Sequence, residues 1–339
     1  MRQQQPSSRG VASAPGHPRR PLLVLVGPTA VGKTALSLAL AERLNAEIVS
    51  ADSRLLYRGM DIGTAKPTLE ERHRVPHHLI DVAQPDEVWT VARYQEAAYR
   101  AIDAIQRRGR LPMLVGGTGQ YVWAVVEGWL VPRVPPLPGL REALERWGRE
   151  IGPEALHARL ARLDPVAASR ILPSNLRRTV RALEVIFATG RRFSEQQGKR
   201  PPPYDILIVG LMRPRAELHQ RIRQRIMAML EAGWLDEVRR LLAAGYAPGL
   251  PAMSGIGYAE LAAHLRGEFT LEEAVERIRR RTQIFLRRQA NWFKASDTRI
   301  HWFPMGPGTR DEVLDLVRRW LRGEVPSLRE GVLPSGSGE

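Results

Sequence analysis

Leu22-Leu23-Val24-Leu25-Val26-Gly27-Pro28-Thr29-Ala30-Val31-Gly32-Lys33-Thr34 is the stretch that decides the fold. Five apolar residues of strand character run into a match to G-x-x-x-x-G-K-[ST], and Ala35 to Leu44 continues with helical spacing. Strand, glycine-rich loop and helix together make a phosphate loop. Glycines let backbone N–H groups turn inward around phosphate oxygens, and the helix N-terminus adds partial positive charge. Lys33 brings an ammonium to the terminal phosphate, and Thr34 offers a hydroxyl to Mg²⁺ bridging phosphate oxygens. ATP is the usual guest of such a loop, yet any diphosphate satisfies the same donors. The expected diphosphate set is Gly27, Pro28, Thr29, Ala30, Val31, Gly32, Lys33 and Thr34.

Outward from the loop, strand and helix patterns alternate. Glu47 to Ser50 reads as a second strand, His78 to Val82 as a third, and Pro112 to Val115 as a fourth closed by Gly116-Gly117. Thr90 to Arg107 is helical, with Val91, Tyr94, Ala98, Ala101, Ile102 and Ile105 on one face. This alternation predicts an α/β fold: a P-loop NTPase-like parallel sheet with helices on both faces. After Gly128 the pattern changes. Pro132, Pro135, Pro136 and Pro138 mark a boundary, four helices follow (140–150, 153–163, 164–171 and 175–189), and Pro201-Pro202-Pro203 closes them. Ile206 to Leu211 is again a strand, so the proline-bounded segment reads as an inserted all-helical domain. Further helices are expected at 218–231, 235–243, 258–265, 271–294 and 311–321, with a last strand at 299–303. The expected organisation is a disordered tail (1–20), the first part of the core (21–130), the insertion (131–203), the core completion (204–325) and a second disordered tail (326–339).

Composition limits the function classes. The chain has 339 residues, 43% of them hydrophobic, enough for a real core. No apolar run reaches the roughly 20 residues that span a bilayer, and no secretory h-region opens the chain. The expectation is therefore a cytoplasmic protein without a membrane partner, and a monomer. Zero cysteines exclude disulfides, thiol catalysis and thiolate zinc sites. Lys and Arg number 51 against 36 Asp and Glu, a net charge of +15. An arginine excess suits phosphate-bearing partners, and a coding bias toward arginine would produce the same count.

Asp52, just after the second strand, should sit at the carboxyl edge of the sheet, where ligands bind in open α/β folds. It reads as a general base, a carboxylate behind a magnesium ion, or a cap. The 57–67 segment, dense in glycine and polar groups, is a substrate loop or a surface connection. Gly116-Gly117-Thr118-Gly119 permits close backbone approach and supplies a hydroxyl at Thr118. No Asp follows the Leu114-Val115 strand end, where a P-loop ATPase carries its magnesium carboxylate. Arg221 and Arg225, one helical turn apart, share a face that is otherwise a solvated stripe. His77 and His78 read as structural. Trp123, Trp129, Trp147, Trp234 and Trp292 read as core or groove walls, with one free to flank a substrate tail.

Taken together, these stretches resemble the tRNA dimethylallyltransferase (tRNA isopentenyltransferase) family, bacterial type. The resemblance rests on 27–34, Asp52-Ser53 with Tyr57 and 59–67, 75–81, 115–119 with Tyr121, Arg178 with 181–185, 221–229 with Gly233, Gly257-Tyr258, and 287–289 with Trp292. It implies transfer of a dimethylallyl group from dimethylallyl diphosphate to N6 of the adenosine beside the anticodon, position 37, with Mg²⁺ as cofactor. The resemblance makes Asp52, Thr118 and Arg225 catalytic, Arg225 on the diphosphate and Asp52 on the adenine N6. It assigns contact with the tRNA anticodon stem-loop to Asp52, Ser53, Arg54, Leu55, Thr118, Arg141, Arg177, Arg178, Thr179, Val180, Arg181 and Ser254, Gly255, Ile256, Gly257, Tyr258 and Ala259. The insertion's own charge agrees: residues 133–200 hold 14 Lys and Arg against 7 Asp and Glu. The family pattern has Arg or Gln where Ser254 stands, Ala at Leu286 and commonly Gln at Ile284. Competing readings are a prenyltransferase of free adenine nucleotides, a small-molecule kinase on the same loop, and a non-enzymatic RNA-binding protein.

Overall fold

Leu22 to Val26 have no accessible surface, and the computed structural model, which describes residues 20–328, explains why. They form β1 (Pro21–Val26), the strand flanked by β4 on one side and β7 on the other. A strand covered on both faces reads as a continuous apolar run, without alternation. The first part of the core is β1, α1 (Lys33–Leu44), β2 (Ala46–Ser50), α2 (Leu69–Arg74), β3 (His77–His78), α3 (Val91–Arg107), β4 (Leu111–Gly116) and α4 (Gly119–Glu127). The insertion follows as β5 (Trp129–Leu130), α5 (Pro138–Ile151), α6 (Pro153–Leu163), α7 (Pro165–Ser169), α8 (Leu176–Thr189) and β6 (Gly198–Lys199). The core then closes with β7 (Asp205–Met212), α9 (Arg215–Glu231), α10 (Trp234–Ala243), α11 (Tyr258–Leu265), α12 (Leu271–Trp292), β8 (Ile300–Pro304) and α13 (Thr309–Leu321).

The main sheet runs β3-β2-β4-β1-β7-β8, and all its pairings are parallel. This is the expected α/β architecture. Parallel order aims every strand's carboxyl end at one edge, so the loops after β1, β2 and β4 meet there. Local chemistry sets the helix starts. Thr68 and Thr270 form capping boxes with Glu71 and Glu273, while Thr90 and Asn175 accept from Arg93 N and Arg178 N.

The insertion has its own core, built from Leu144, Leu156, Leu160, Ala168, Ile171, Val180, Ala182 and Leu183. Fully buried Asp164 knits it, accepting from Ala167 N, Ser194 N and the Ser194 hydroxyl at 2.8–2.9 Å. The segment is not purely helical, because β5 and β6 pair antiparallel at its neck. The third strand is shorter than the sequence predicts. Leu79 and Asp81 take left-handed φ of 61° and 57°, which ends β3 at His78. Both tail boundaries also shift. Arg20 bonds Asp103 and Gln106, and Leu328 N–H donates to Ile206 O, so both belong to the folded body. The rest of the two expected tails lies outside the described residues.

Candidate active site

Two glycines shape the carboxyl edge of the sheet, one in the loop after β1 and one at the end of β4. Gly32 has φ 115°, a conformation a side chain would strain, and it lets α1 start with its amides facing the cleft. Gly116 lies against Ala51, where an added Cβ would stand 2.2 Å from Ala51 O. The β2 and β4 ends can therefore meet only because Gly116 has no side chain. They are cross-linked as well: Thr118 N donates to Ala51 O, and Thr118 Oγ1 accepts from Ser53 N at 3.1 Å. The Thr118 side chain makes no cap bond to its own helix α4, so it serves the turn that carries Asp52.

These elements enclose a cleft of about 480 Å³. Thr29 to Thr34, except buried Val31, line it with Asp52, Leu55, Gly116, Gly117, Arg221, Arg225 and Gln289. Lys33 Nζ donates to Gly27 O and Pro28 O at 2.9 and 2.8 Å. Burial pulls its pKa from 10.5 to about 8, against Asp52, which raises it, and with Arg225, which lowers it further. Burial likewise lowers the Arg225 pKa, and Asp52 opposes that. Among the described residues, Arg225 has no hydrogen-bond or ion-pair partner. Asp52 Oδ1 accepts from Arg54 N at 2.9 Å, while Oδ2 keeps no protein partner among the described residues. Two half-buried cations and a half-engaged carboxylate thus face one space, which is a receptor for an anion beside a proton acceptor.

Three positioning residues lie far away in sequence. Gln289 is buried on α12; its Oε1 accepts from Thr29 N at 2.9 Å and its Nε2 donates to Gly117 O at 3.0 Å. One side chain therefore clamps the phosphate loop to the β4 turn. Arg213 and Arg221 donate to Val31 O and Ala30 O at 2.9 and 2.7 Å. These bonds steady a loop in which Ala30 itself has φ 63°. Arg221 thus serves the loop backbone, leaving Arg225 as the open cation. No local pattern marks Arg213; Gln289 and Arg221 showed only through the family resemblance.

Thr34 is exposed at the cleft. Among the described residues no group of three or more His, Cys, Asp or Glu could hold a metal. One hydroxyl beside a phosphate cradle still suits magnesium, which keeps its waters and takes few protein ligands plus substrate phosphates. The donor set fits an ion that arrives with its diphosphate. His77 and His78 are structural contacts: His77 Nδ1 meets Val75 O, and His78 Nε2 meets buried Glu47 at 2.6 Å.

A second, larger groove of about 1440 Å³ separates the core from the insertion. Arg141, Arg170, Arg177, Arg178, Arg181 and Arg200 line it, with Trp129 at the neck and Trp89 on the core side. Arg177 and Arg178 are exposed. Arg141 and Arg181 are anchored, each donating to fully buried Glu184 at 2.7 Å. Burial works against ionisation of Glu184, but those two bonds and the Leu137 amide outweigh it and hold its carboxyl below the usual range.

Several expected RNA contacts need correction. The Thr179 side chain is fully buried, and Val180 packs in the insertion core, because α8 turns that face inward. Tyr258 is 1% exposed and its hydroxyl donates to Glu237 at 2.6 Å. Gly255 and Gly257 are buried as well. Arg54 spends its guanidinium on Pro251 O and Ala252 O. Exposed Ser254 and half-buried Ser53, Ile256 and Ala259 remain at that surface, while Leu55 lines the cleft. Trp234 and Trp123 are buried, as expected of core residues.

Comparison with known proteins places this geometry. The family model for IPP transferase matches residues 55–296. A tRNA dimethylallyltransferase of Roseiflexus sp. (strain RS-1) is 52% identical over 301 residues, 89% of this chain and 99% of that protein. One from Thermomicrobium roseum is 47% identical over 95% and 98% of the two chains. The crystal structure of the tRNA isopentenylpyrophosphate transferase of Bacillus halodurans superimposes with a TM-score of 0.66 at 40% identity, covering 90% of this chain and 97% of that one. A eukaryotic dimethylallyltransferase acting on tRNA gives a TM-score of 0.76 at 26% identity, over 92% and 82%. With the family model spanning more than half of the chain and relatives this similar aligned almost end to end, the chain belongs to the IPP transferase family, the tRNA dimethylallyltransferases.

Proposed function

We propose that this chain transfers the dimethylallyl group of dimethylallyl diphosphate to N6 of the adenosine next to the anticodon (position 37) of tRNA, giving N6-isopentenyladenosine. The observation that carries this reading is the convergence of Lys33, Arg225 and Asp52 on one cleft. The loop amides, Lys33 and Arg225 bind the diphosphate. Leu55, Ala65, Pro67, Ile48 and Ile80 give the same cleft apolar lining for a five-carbon tail, beside polar Thr64, Glu71 and His77. Mg²⁺, when bound, would be held by Thr34 and diphosphate oxygens and would supply neutralisation of the leaving charge.

In the transfer, a bond forms from N6 to C1 of the prenyl group, and the C1–O bond breaks with its electron pair going to the diphosphate. Lys33 and Arg225 stabilise that growing charge where it develops. Asp52 Oδ2 takes the N6 proton, because Oδ1 is already held by Arg54 N. Thr118 keeps the Asp52 turn in register through Ser53. The acceptor base must leave its stack to reach a sheet-edge cleft, so the adenosine is flipped outward. Arg177, Arg178 and the anchored Arg141 and Arg181 face the anticodon stem-loop backbone.

The test offers radiolabelled dimethylallyl diphosphate and ATP side by side, with an unmodified anticodon stem-loop. Label is expected on the RNA from the prenyl donor only. Label moving from ATP alone would replace this reading with a kinase. Transfer to free adenine nucleotides as readily as to the stem-loop would remove the RNA from it.

A further inference from the structure

Glu237, on α10, is a carboxylate only 2% exposed that no step of the transfer uses. The donors it engages come from outside its own helix. Oε2 accepts from Asp61 N and Ile62 N, both at 2.8 Å. Oε1 accepts from Gly63 N at 3.2 Å and from the Tyr258 hydroxyl at 2.6 Å. A buried carboxylate is tolerated only when its oxygens are bonded, and charge-assisted bonds of this kind are stiff. Three consecutive amides therefore hang from one side chain. The Trp234 indole packs behind them: a Cβ on Gly63 would stand 1.9 Å from Trp234 Nε1, and one on Gly257 1.9 Å from its Cζ2. The next residues of that loop, Thr64, Ala65 and Pro67, form a wall of the donor cleft. The loop's far end is tied by buried Lys66, which donates to Tyr57 O at 2.9 Å and to Asp61 and Asp81, both at 2.5 Å.

We propose that Glu237 is a positioning residue that fixes the loop of residues 61–67 as the wall of the donor cleft and so sets which prenyl diphosphate fits. This rests on the prenyl-transfer reading of the cleft. The loop's one cation, Lys66, is spent on Tyr57 O, Asp61 and Asp81, so its contribution is shape. Held against Trp234, it keeps Thr64, Ala65 and Pro67 in place as a wall of the cleft. Released, it yields to a longer tail and grips the short one less well. Discrimination by an apolar pocket is only as sharp as its wall is rigid.

The experiment compares Glu237→Gln with the unaltered chain. The single amide oxygen that remains can serve Asp61 N and Ile62 N or Gly63 N but not all three, so the loop is held less firmly. The KM for dimethylallyl diphosphate should rise about tenfold, while the stem-loop KM and kcat stay within about threefold. The preference for dimethylallyl over geranyl diphosphate, as a ratio of kcat/KM, should fall about tenfold. A merely structural role would move both KM values together and leave the chain-length preference alone, and that outcome overturns the proposal. An unchanged donor KM overturns it too. If Glu237→Gln does not fold, Gly63→Ala carries the test. Its new Cβ pushes the loop off the indole and away from an unaltered Glu237 carboxylate, and the same split between donor and stem-loop is expected. If the unaltered chain shows no prenyl transfer, it is the proposed function, and not the role of Glu237, that fails.

Discussion

In the cleft, Arg213 and Arg221 each donate to a carbonyl of the phosphate loop, and Arg225 sits half-buried with no protein partner among the described residues. On the insertion, Arg177 and Arg178 stand exposed on α8, and their side chains have no hydrogen-bond or ion-pair partner among the described residues. The same residue type does different work in the two places. Arg225 is half-buried and left open to a ligand, while Arg213 and exposed Arg221 are tied to loop carbonyls, Arg213 also to Glu217. At exposed Arg177 and Arg178, solvent and salt screen the charge, so many weak contacts must add up. Chemistry demands the first arrangement, and holding a long polyanion is served by the second.

The sharpest way to break this contrast is Asp52→Ala. Turnover should fall roughly 10²-fold or more while stem-loop affinity stays within about twofold. Single-turnover rates and a binding titration read the two separately, and equal losses in both would make Asp52 a docking contact. The next effect should come from Arg177→Ala combined with Arg178→Ala. Stem-loop affinity is expected to drop about tenfold, and the plot of log affinity against log salt to flatten by roughly 0.7 per lost phosphate contact. The rate at saturating RNA should not change. A salt slope identical to that of the unaltered chain would take both arginines off the interface.

Lys33 supplies a pH test of the cleft alone. Its pKa, lowered to about 8, rises again once a diphosphate lies beside it. Below about pH 8 the ammonium is charged before and after binding, so donor affinity is flat. Above it, binding must take up a proton, and affinity should fall by up to about tenfold per pH unit. Calorimetry at pH 8 in buffers of differing ionisation enthalpy would count that proton; no uptake would mean Lys33 does not meet the donor. Arg225→Ala should move the onset to higher pH, since Arg225 helps hold the Lys33 pKa down.

The remaining effect is on stability and not on binding or turnover, and it belongs to the insertion's anchor. Glu184→Ala should cost about 1–3 kcal/mol in thermal or denaturant unfolding, because Arg141, Arg181 and the Leu137 amide lose their shared acceptor. The Glu184 pKa is depressed in the fold, so its contribution is full above the unfolded value near 4.5 and drains away as pH falls through the folded value. Acid should therefore soften the unaltered chain more than the variant. Parallel acid curves would leave Glu184 no such role.

Much of this was readable in one dimension because short-range rules govern it. The continuous apolar run of β1, the glycine pattern of 27–34 and the prolines around 131–203 are local, and each implies its geometry wherever it occurs. Asp52 could be placed at the sheet edge by the same logic, since parallel order puts every strand's carboxyl end there. Sequence alone therefore determined the parallel sheet, the glycine-rich loop at its edge and the net charge of the proline-bounded segment. The tertiary structure decided what lies across the cradle. Gln289 reaches Thr29 over 260 positions and Glu237 holds Asp61 over 176, spacings no periodicity encodes. It also decided which face of α8 is wet, turning Thr179 and Val180 inward while leaving Arg177 and Arg178 outside. For Gln289 and Glu237 the physical reason is that a buried polar group is held beside its partner, and folding alone sets which distant residue that partner is; for α8 it is the burial of its apolar face against the insertion core.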